Sequence, residues 1–399
     1  MEELLISPEF QMSLLLFVAL AGYLIASRIN QSAVVGLILV GILVGPSVLG
    51  LITYTDFVSS LARLGAVILL FVIGLEFKLE DIMVPRNGVI ALIGVVIPWI
   101  GGFGISELFG FSMAGSIFIG TALTATSIAI TANVLKESDR LNSDAAKAII
   151  GAAVIDDILS LLALAISTDI ITGTVSALGI IELAAKALLF IVIGAAVGLL
   201  LVSKLIEKVD RTAFAEKFPE FTFIFAMMMA FFYAMIAELV GLSAIVGAFI
   251  AGVSFSGVVL IQGKNLKDGA DYLQIIFASI FFVSLGIIAD LHALTSGIVV
   301  FVIALTVVAI ITKVLGCGIP AYFCGMSVKD SMIVGFGMSP RGEVAMIVAL
   351  IGLQEGVIDQ SVYVTLVLMA LLTTLITPLV YRNWLFRGDD APVASGRCT

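Results

Sequence analysis

Long apolar runs, separated by short polar or charged stretches, are the feature of this sequence that most limits its fold. Several runs reach the ~20 residues that a helix needs to cross a hydrocarbon core of ~30 Å. Of all residues, 61% are hydrophobic and 12% are charged, against about 45–50% and about 25% in ordinary soluble domains. This excludes a soluble globular protein and predicts a polytopic membrane protein.

The runs predict about thirteen membrane spans. Each span should be a helix, because a bare loop or an open sheet edge leaves backbone groups unsatisfied in lipid. The predicted fold class is therefore all-α. The predicted span centres are Ala19, Val40, Leu69, Val95, Thr124, Asp156, Val192, Met228, Ala251, Phe281, Val307, Ser339 and Leu368.

The charges of the loops predict the orientation of the chain, because Lys and Arg accumulate on the cytoplasmic side of a membrane. Alternate loops and the C-terminal tail hold the basic residues, while the other loops hold only acids such as Asp56, Glu107 and Asp359. The N-terminus is thus predicted outside and the C-terminus inside. The opening MEELLISPEF lacks the basic region of a signal peptide, so we expect the first span to be retained.

Composition also excludes several classes of function. A net charge of −9 gives no indication of a nucleic-acid partner. Cys317, Cys324 and Cys398 have neither zinc-ligand spacing nor the pattern of a disulfide framework, and His292 is a single histidine. We therefore expect no cofactor, no structural disulfide and no enzymatic activity.

Two short motifs recur in the two halves of the chain. Residues 32–36 (SAVVG) in the second span match residues 243–247 (SAIVG) in the ninth, and both are followed by another glycine. Residues 71–74 (FVIG) of the third span resemble residues 282–286 (FVSLG) of the tenth. An odd number of crossings separates equivalent helices, so the halves would be inverted, as in many secondary transporters. The alternative is chance similarity between helices rich in Gly, Ala and Val.

The fifth and twelfth spans, equivalent in the two halves, carry the most polar and helix-breaking residues at mid-membrane. Residues 120–128 (GTALTATSI) include Thr126 and Ser127, and residues 335–343 (GFGMSPRGE) include Pro340. Interrupted helices in corresponding places expose backbone dipoles and carbonyls to an ion, so this pair predicts a transport site. Alternatively, the hydroxyls bond only to their own helix and Pro340 only kinks it.

Ionisable residues inside the predicted spans are few, and each costs roughly 2.5–3.5 kcal/mol on insertion scales. Asp156 and Asp157 are adjacent in the sixth span, and Lys313 lies in the eleventh. Neighbouring helix positions point about 100° apart, so one aspartate can face the lysine while the other lines a water-filled cavity. A carboxylate there binds either a proton or a small alkali cation, and this competition couples their opposite movements. A purely structural Asp–Lys pair is the alternative, but it leaves one aspartate without a role.

Further charged residues lie near these. Arg341 and Glu343 stand beside Pro340 in the twelfth span, and Glu76 ends the third. We expect Arg341 to pair with Glu343 or Glu76 in a salt bridge, structural or functional, that supports the core. Arg63 is expected to snorkel towards an interface.

Four motifs in order resemble the monovalent cation:proton antiporter-2 family, and within it the NapA-type Na⁺/H⁺ antiporters. They are residues 121–127, 151–157, 313–316 and 337–343. The resemblance covers essentially the whole chain. It implies thirteen helices with the N-terminus outside and two inverted repeats with crossed, broken helices, the NhaA-like antiporter fold. It also implies a homodimer and an elevator-like movement of a core domain.

The resemblance implies a division of the chain into domains. Two stretches would form a dimerisation domain and two a core, or transport, domain. The expected parts are dimerisation residues 1–80 and 211–292, core residues 81–170 and 293–387, a linker helix at 171–210 and a short cytoplasmic tail at 388–399.

The resemblance also implies roles for single residues. The essential ion- and proton-binding aspartate of the family falls on Asp157, and the aspartate that pairs with the core lysine, here Lys313, falls on Asp156. Thr126 and Ser127 fall in the unwound stretch, so these hydroxyls and both aspartates would hold the transported Na⁺. Paired aspartates resemble the electrogenic branch, in which more protons than sodium ions cross per cycle.

We therefore expect a secondary active antiporter of the cell membrane that exports Na⁺, or Li⁺, in exchange for protons. Its expected partners are Na⁺, H⁺, the lipid bilayer and a second copy of the chain. A K⁺/H⁺ antiporter of the same family is the alternative, although potassium-efflux relatives carry a C-terminal nucleotide-binding domain where a short tail is expected here. A sodium-coupled organic-anion symporter would need a second polar cluster, and a cation channel would need a continuous polar pathway. Neither is evident in the sequence.

Overall fold

The computed structural model describes residues 7–29, 31–78, 80, 84–172, 177–218, 220–258, 260, 266–288 and 296–387. His292 and Cys398 lie outside these ranges. All regular elements within them are helices, as the all-α prediction requires. Nine of the described helical segments are long and apolar enough to cross a membrane, and four shorter apolar helices accompany them.

Helices occupy all thirteen predicted spans. We number them by span, and the two interrupted spans each have an a and a b helix. They are α1 (Pro8–Arg28), α2 (Ala33–Val44), α3 (Asp56–Gly74), α4 (Pro85–Leu108), α5a (Met113–Ala122), α5b (Ile128–Glu137), α6 (Asp144–Thr172), α7 (Ala177–Val197), α8 (Glu220–Leu239), α9 (Ala244–Phe255), α10 (Leu266–Ile287), α11 (Ser296–Lys313), α12a (Val328–Gly337), α12b (Glu343–Gln354) and α13 (Gln360–Val380).

Single π-helical turns extend three of these helices. They follow α7 (Gly198–Val202), α11 (Val314–Gly318) and α13 (Tyr381–Leu385). Short helices continue the first two, at Ser203–Asp210 and Ile319–Phe323, and a separate short helix covers Ala213–Lys217.

Small polar residues fix the starts of several helices. The hydroxyl of Ser112 accepts the N–H of Gly115 at the start of α5a, and that of Ser327 accepts the N–H of Asp330 at the start of α12a. Each bond satisfies one of the N–H groups that have no partner within the helix. The two half-helices are both 10 residues long, so equivalent positions of the two halves are built alike.

The helices pack in two groups, which contact each other through α2, α3, α5b and α13 and are bridged by α7. The first group contains α1, α2, α3, α8, α9 and α10, and the second contains α4, α5a, α5b, α6, α11, α12a, α12b and α13. Helix α7 contacts α9 of the first group and α6 of the second. Each half of the chain thus contributes three spans to the first group and three spans to the second.

Two glycine contacts bear out the internal repeat. A Cβ on Gly41 of α2 would stand 2.2 Å from the Val283 carbonyl oxygen and 3.0 Å from Cα of Gly286 in α10. A Cβ on Gly252 of α9 would stand 2.2 Å from the Phe71 carbonyl oxygen and 2.9 Å from Cα of Gly74 in α3. Exchanging the halves converts one crossing into the other, so the repeated motifs encode two equivalent close approaches of backbone.

Candidate functional site

The two interrupted spans touch where each is unwound. The N–H of Ser127, just before α5b, donates to the carbonyl oxygen of Pro340 at 2.8 Å. The hydroxyl of Thr126 donates to the carbonyl oxygen of Met338 at 3.2 Å. Pro340 has no N–H and disfavours the helical region for the residue before it, which explains the break in the twelfth span. The break in the fifth span is held by these contacts with the twelfth.

Threonine side chains satisfy the backbone groups that the unwinding exposes. Thr131 of α5b donates to the Gly337 carbonyl oxygen at 2.5 Å. From α13, Thr377 donates to the Phe336 carbonyl oxygen at 3.1 Å and Thr374 to that of Arg341 at 2.9 Å. Unpartnered carbonyls in a buried site are costly. These hydroxyls therefore lower the free-energy cost of the broken helix. No sequence pattern indicated this role.

Arg341 lies buried at the C-terminal ends of α5a and α12a. Its guanidinium donates to the carbonyl oxygens of Leu123 at 2.7 Å, of Ala309 at 3.4 Å, and of Ser339. The C-terminal end of a helix carries partial negative charge, which a cation stabilises. Here α5a and α12a both end against this side chain.

Arg341 does not form the expected salt bridge with Glu76. Carbonyl oxygens at the helix ends supply the negative charge instead. Glu76 pairs with Lys267, Oε1 to Nζ at 2.6 Å, where both side chains retain solvent contact. The side chain of Glu343, which begins α12b, lies outside the described part of the structure.

Asp156 and Lys313 form a buried ion pair. Nζ of Lys313 lies 2.9 Å from Oδ1 of Asp156, and the two side chains are 0% and 1% exposed. Lys313 is the last residue of α11 before its π-helical turn. Gly94 of α4 leaves room here, because a Cβ at that position would stand 2.4 Å from Sγ of Cys317 and 3.9 Å from Nζ of Lys313. Gly94 thus helps to form the site of the ion pair, and no sequence pattern indicated this role.

Asp157, the next residue, opens onto two adjoining cavities. The smaller, of about 40 Å³, is lined by Thr126, Ser127 and the first residues of α5b. The larger, of about 500 Å³, lies between the two groups of helices and includes Arg63 and Glu238 in its lining. Asp157 is the point where the unwound segment meets space large enough for a hydrated ion. Arg63 thus extends along the route to Asp157.

Comparisons with known proteins agree with this architecture. The family described as sodium/hydrogen exchanger, transmembrane, matches residues 14–387. The Na⁺/H⁺-K⁺ antiporter GerN of Bacillus cereus is 33% identical over 389 residues, 97% of this chain and 98% of that protein. A Na⁺/H⁺ antiporter of Enterococcus hirae is 34% identical over 375 residues, 92% of this chain and 96% of its own length.

A solved structure has the same fold. That of the sodium proton antiporter MjNhaP1 from Methanocaldococcus jannaschii at pH 8 matches with a TM-score of 0.69. The match covers 94% of this chain and 96% of that one at 17% identity. At this identity the likeness concerns the arrangement of the helices alone.

Proposed function

Since the chain belongs to the sodium/hydrogen exchanger family, we propose that it exports Na⁺ in exchange for protons that bind at Asp157. One observation carries the proposal: Asp157 stands in the cavities beside the unwound Thr126 and Ser127, while its neighbour Asp156 is sealed against Lys313. A single carboxylate accessible from one side is what competition between two ions requires. A channel would need a route open to both sides at once.

The ligands at this site suit a small alkali cation. The Asp157 carboxylate, with hydroxyl oxygens of Thr126 and Ser127, gives hard oxygen donors of the type that alkali ions prefer to nitrogen or sulfur. Asp156, whose Oδ1 is held by Lys313, adds a further oxygen when this pair opens. Sodium and the proton compete for Asp157, so the site carries one or the other.

The buried pair accounts for electrogenic exchange. If Lys313 releases its proton when Na⁺ binds and regains one when Na⁺ leaves, more protons than sodium ions cross in each cycle. The membrane potential then drives export by about 2.3 kcal/mol per net charge per 100 mV. Keeping the loaded site close to neutral also lowers the cost of moving it past apolar surfaces.

The two groups of helices serve as the moving parts. Residues 81–170 and 293–387 form the core domain, residues 1–80 and 211–292 form a dimerisation domain in a homodimer, and residues 171–210 link them. The contacts of α7 with both groups support the linker role. The basic residues in alternate loops support an orientation with the N-terminus outside the cell membrane and the tail, residues 388–399, inside. The larger cavity then faces outwards, and movement of the core gives alternating access.

The deciding experiment replaces Asp157 with Asn in purified protein in proteoliposomes. Asparagine keeps the shape of the side chain but neither binds the proton nor carries the charge that holds Na⁺. Sodium-driven proton flux and the current on a solid-supported membrane should both disappear. Asp268→Asn, an exposed aspartate at the start of α10, is the matched control and should behave as the wild type. Exchange retained by Asp157→Asn would remove this residue from the mechanism.

K⁺/H⁺ exchange is the second candidate, and the 33% identity with GerN, named as a Na⁺/H⁺-K⁺ antiporter, favours keeping it. Steps of Na⁺, Li⁺ and K⁺ in the same apparatus separate the possibilities. Sodium or lithium steps alone should produce current if the main proposal is right. Current that persists without any proton coupling would instead indicate a channel or a symporter.

A further inference from the structure

The end of α5b is tied to the N-terminus of α2, across the boundary between the two groups of helices. Oε2 of Glu137 accepts the hydroxyl of Ser32 at 2.5 Å and the N–H of Ala33 at 3.2 Å. Oε1 of the same carboxylate accepts the side-chain amide of Asn133 at 2.9 Å, which orients it. A carboxylate at this place satisfies a free N–H and opposes the positive end of the α2 dipole.

The residue before it makes a second tie to the same group. Nζ of Lys136 lies 2.7 Å from Oδ1 of Asp271 and 2.8 Å from Oε1 of Gln274, both on α10. Neighbouring residues of opposite charge thus hold α5b against two helices of the first group. On the other side of Asp157, the same two groups are separated by the cavity of about 500 Å³. The protein is closed where Glu137 docks and open on the opposite face.

The internal repeat supplies an equivalent docking place on the open face. Ser243 and Ala244 begin α9 as Ser32 and Ala33 begin α2, and in each case the serine hydroxyl accepts an N–H two residues on, at 3.3 Å. Ser243 and Ala244 line the open cavity. The start of α9 therefore faces the space that must close when the core domain moves.

The repeat also supplies an acid to dock there. Helix α12b is the counterpart of α5b, and both are followed by a left-handed residue two positions after their last one, Asp139 with φ 54° and Gly356 with φ 67°. Glu355 stands at this end of α12b, one residue beyond the position that corresponds to Glu137, and its side chain is exposed. It is the acid nearest to the end of the half-helix that faces outwards.

We propose that Glu137 and Glu355 are alternate docking acids that select which face of the protein is closed. Glu137 holds the inner face closed by capping α2, as in this structure. When the core domain moves, Glu137 leaves Ser32 and Ala33, and Glu355 caps α9 at Ser243 and Ala244 and closes the outer cavity. This inference rests on the proposed alternating access, but it concerns residues remote from the ion.

The test measures access to the site from each face. Two reporters lie on α6 near Asp157, Leu161→Cys on the larger cavity and Ala153→Cys on the smaller one. Each is introduced with Cys324→Ser and Cys398→Ser and labelled with a membrane-impermeant maleimide, the first from outside and the second from inside. The ratio of the two labelling rates follows the ratio of outward-facing to inward-facing protein.

Glu137→Ala removes the inner cap and should lower this ratio about threefold to tenfold, since a charged hydrogen bond at a helix end is lost. Glu355→Ala should raise it by a similar factor. Glu216→Ala, an exposed acid of the helix Ala213–Lys217, is the control and should leave it unchanged. A disulfide between Ala244→Cys and Glu355→Cys should form only in the inward-facing state and block transport until it is reduced.

Each outcome decides the matter. If neither acid changes the ratio, or if the Ala244→Cys and Glu355→Cys pair never cross-links in protein that transports, the docking proposal is wrong. The proposed antiport would stand even so, provided that Asp157→Asn abolishes exchange. If labelling from the two faces never alternates in reporter proteins that keep both Glu137 and Glu355, the proposed function itself fails.

Discussion

Asp156 and Asp157 have the same side chain and adjacent places in the chain, yet they face different surroundings. The turn of about 100° per residue directs one towards Lys313 and the other towards the cavities. Asp156 is sealed by protein, and Asp157 retains access to a hydrated ion. A shift of the helix by one residue would therefore place the partner of Lys313 where the proposed ion-binding carboxylate now stands.

The buried pair itself gives a prediction at this scale. Replacing both partners, Asp156→Asn with Lys313→Gln, removes the two charges and keeps polar groups that bond to each other. If Lys313 carries a proton, sodium-driven proton flux should persist while the current on a solid-supported membrane disappears. Persistent current would show that the lysine is not a carrier. Lys313→Ala alone should lower the free energy of unfolding by about 3–5 kcal/mol, because it leaves a buried charge without its partner.

The residue scale also marks a limit of sequence reasoning. Opposite charges inside predicted spans are few, so the sequence predicts that Lys313 pairs with one of the two adjacent aspartates, and the family resemblance implies that it is Asp156. The partners of Arg341 could not, because they are carbonyl oxygens of Leu123 and Ser339. The carbonyl oxygens at a helix end are left free to accept from a side chain, and the sequence does not place those ends relative to one another.

At the scale of elements, the broken spans depend on side chains from α13. The Thr374 hydroxyl donates to the carbonyl oxygen of Arg341 at 2.9 Å, and no backbone N–H of the described residues is recorded on that oxygen. Thr374→Val keeps the shape and leaves that oxygen unsatisfied, so we expect a loss of about 1–3 kcal/mol in the free energy of unfolding. Thermal unfolding in detergent measures it.

Thr306→Val is the matched control for this prediction. The Thr306 hydroxyl bonds at 2.6 Å to the Val302 carbonyl oxygen one turn back in its own helix, where the regular helical hydrogen bond remains after substitution. Its loss should be well under that of Thr374→Val. Equal losses would mean that the bond to Arg341 contributes nothing specific.

The sequence predicts the positions of the helices well, but not the side chains that satisfy the backbone where two of them are interrupted. All thirteen expected centres fall within a helix or, at Thr124 and Ser339, in the unwound segment between two. Apolar length and the Thr, Ser and Pro residues carry that information. Thr374 and Thr377 gave no signal, because a threonine in a membrane helix usually bonds to its own backbone.

For the molecule as a whole, the two halves should respond alike to equivalent changes. Gly41→Ala and Gly252→Ala each place a methyl group 2.2 Å from a carbonyl oxygen of the crossing helix. We expect each to lower the free energy of unfolding by about 1–3 kcal/mol or more, because backbone must separate to admit it. Thermal unfolding of the two variants under the same conditions shows whether the two losses are equal.

Gly104→Ala in α4 is the control, since nothing lies within 4 Å of its added Cβ. It should be neutral or slightly stabilising, as alanine favours a helix over glycine. A large loss in Gly41→Ala with none in Gly252→Ala would contradict the equivalence of the two crossings.

The repeat and the two-half plan could be predicted from the sequence, because glycines 41 and 252 follow matching motifs in each half. The contacts that close the two groups of helices against each other could not be predicted from the sequence. Bonds such as those from Lys136 of α5b to Asp271 and Gln274 of α10 join partly buried side chains across the boundary between the two groups. These bonds form in one arrangement of the two groups. The sequence alone does not indicate which arrangement a given structure shows.

The larger cavity reaches Asp157, near the middle of the 29-residue helix α6. Water in such a cavity conducts, so its floor stays close to the voltage of the bulk solution on that side. The electric field of the membrane is thereby concentrated across the thin layer of protein that remains. If the ion binds at this carboxylate as proposed, it would cross most of the voltage during a short displacement, and the energy of the field would act on the proposed movement of the core.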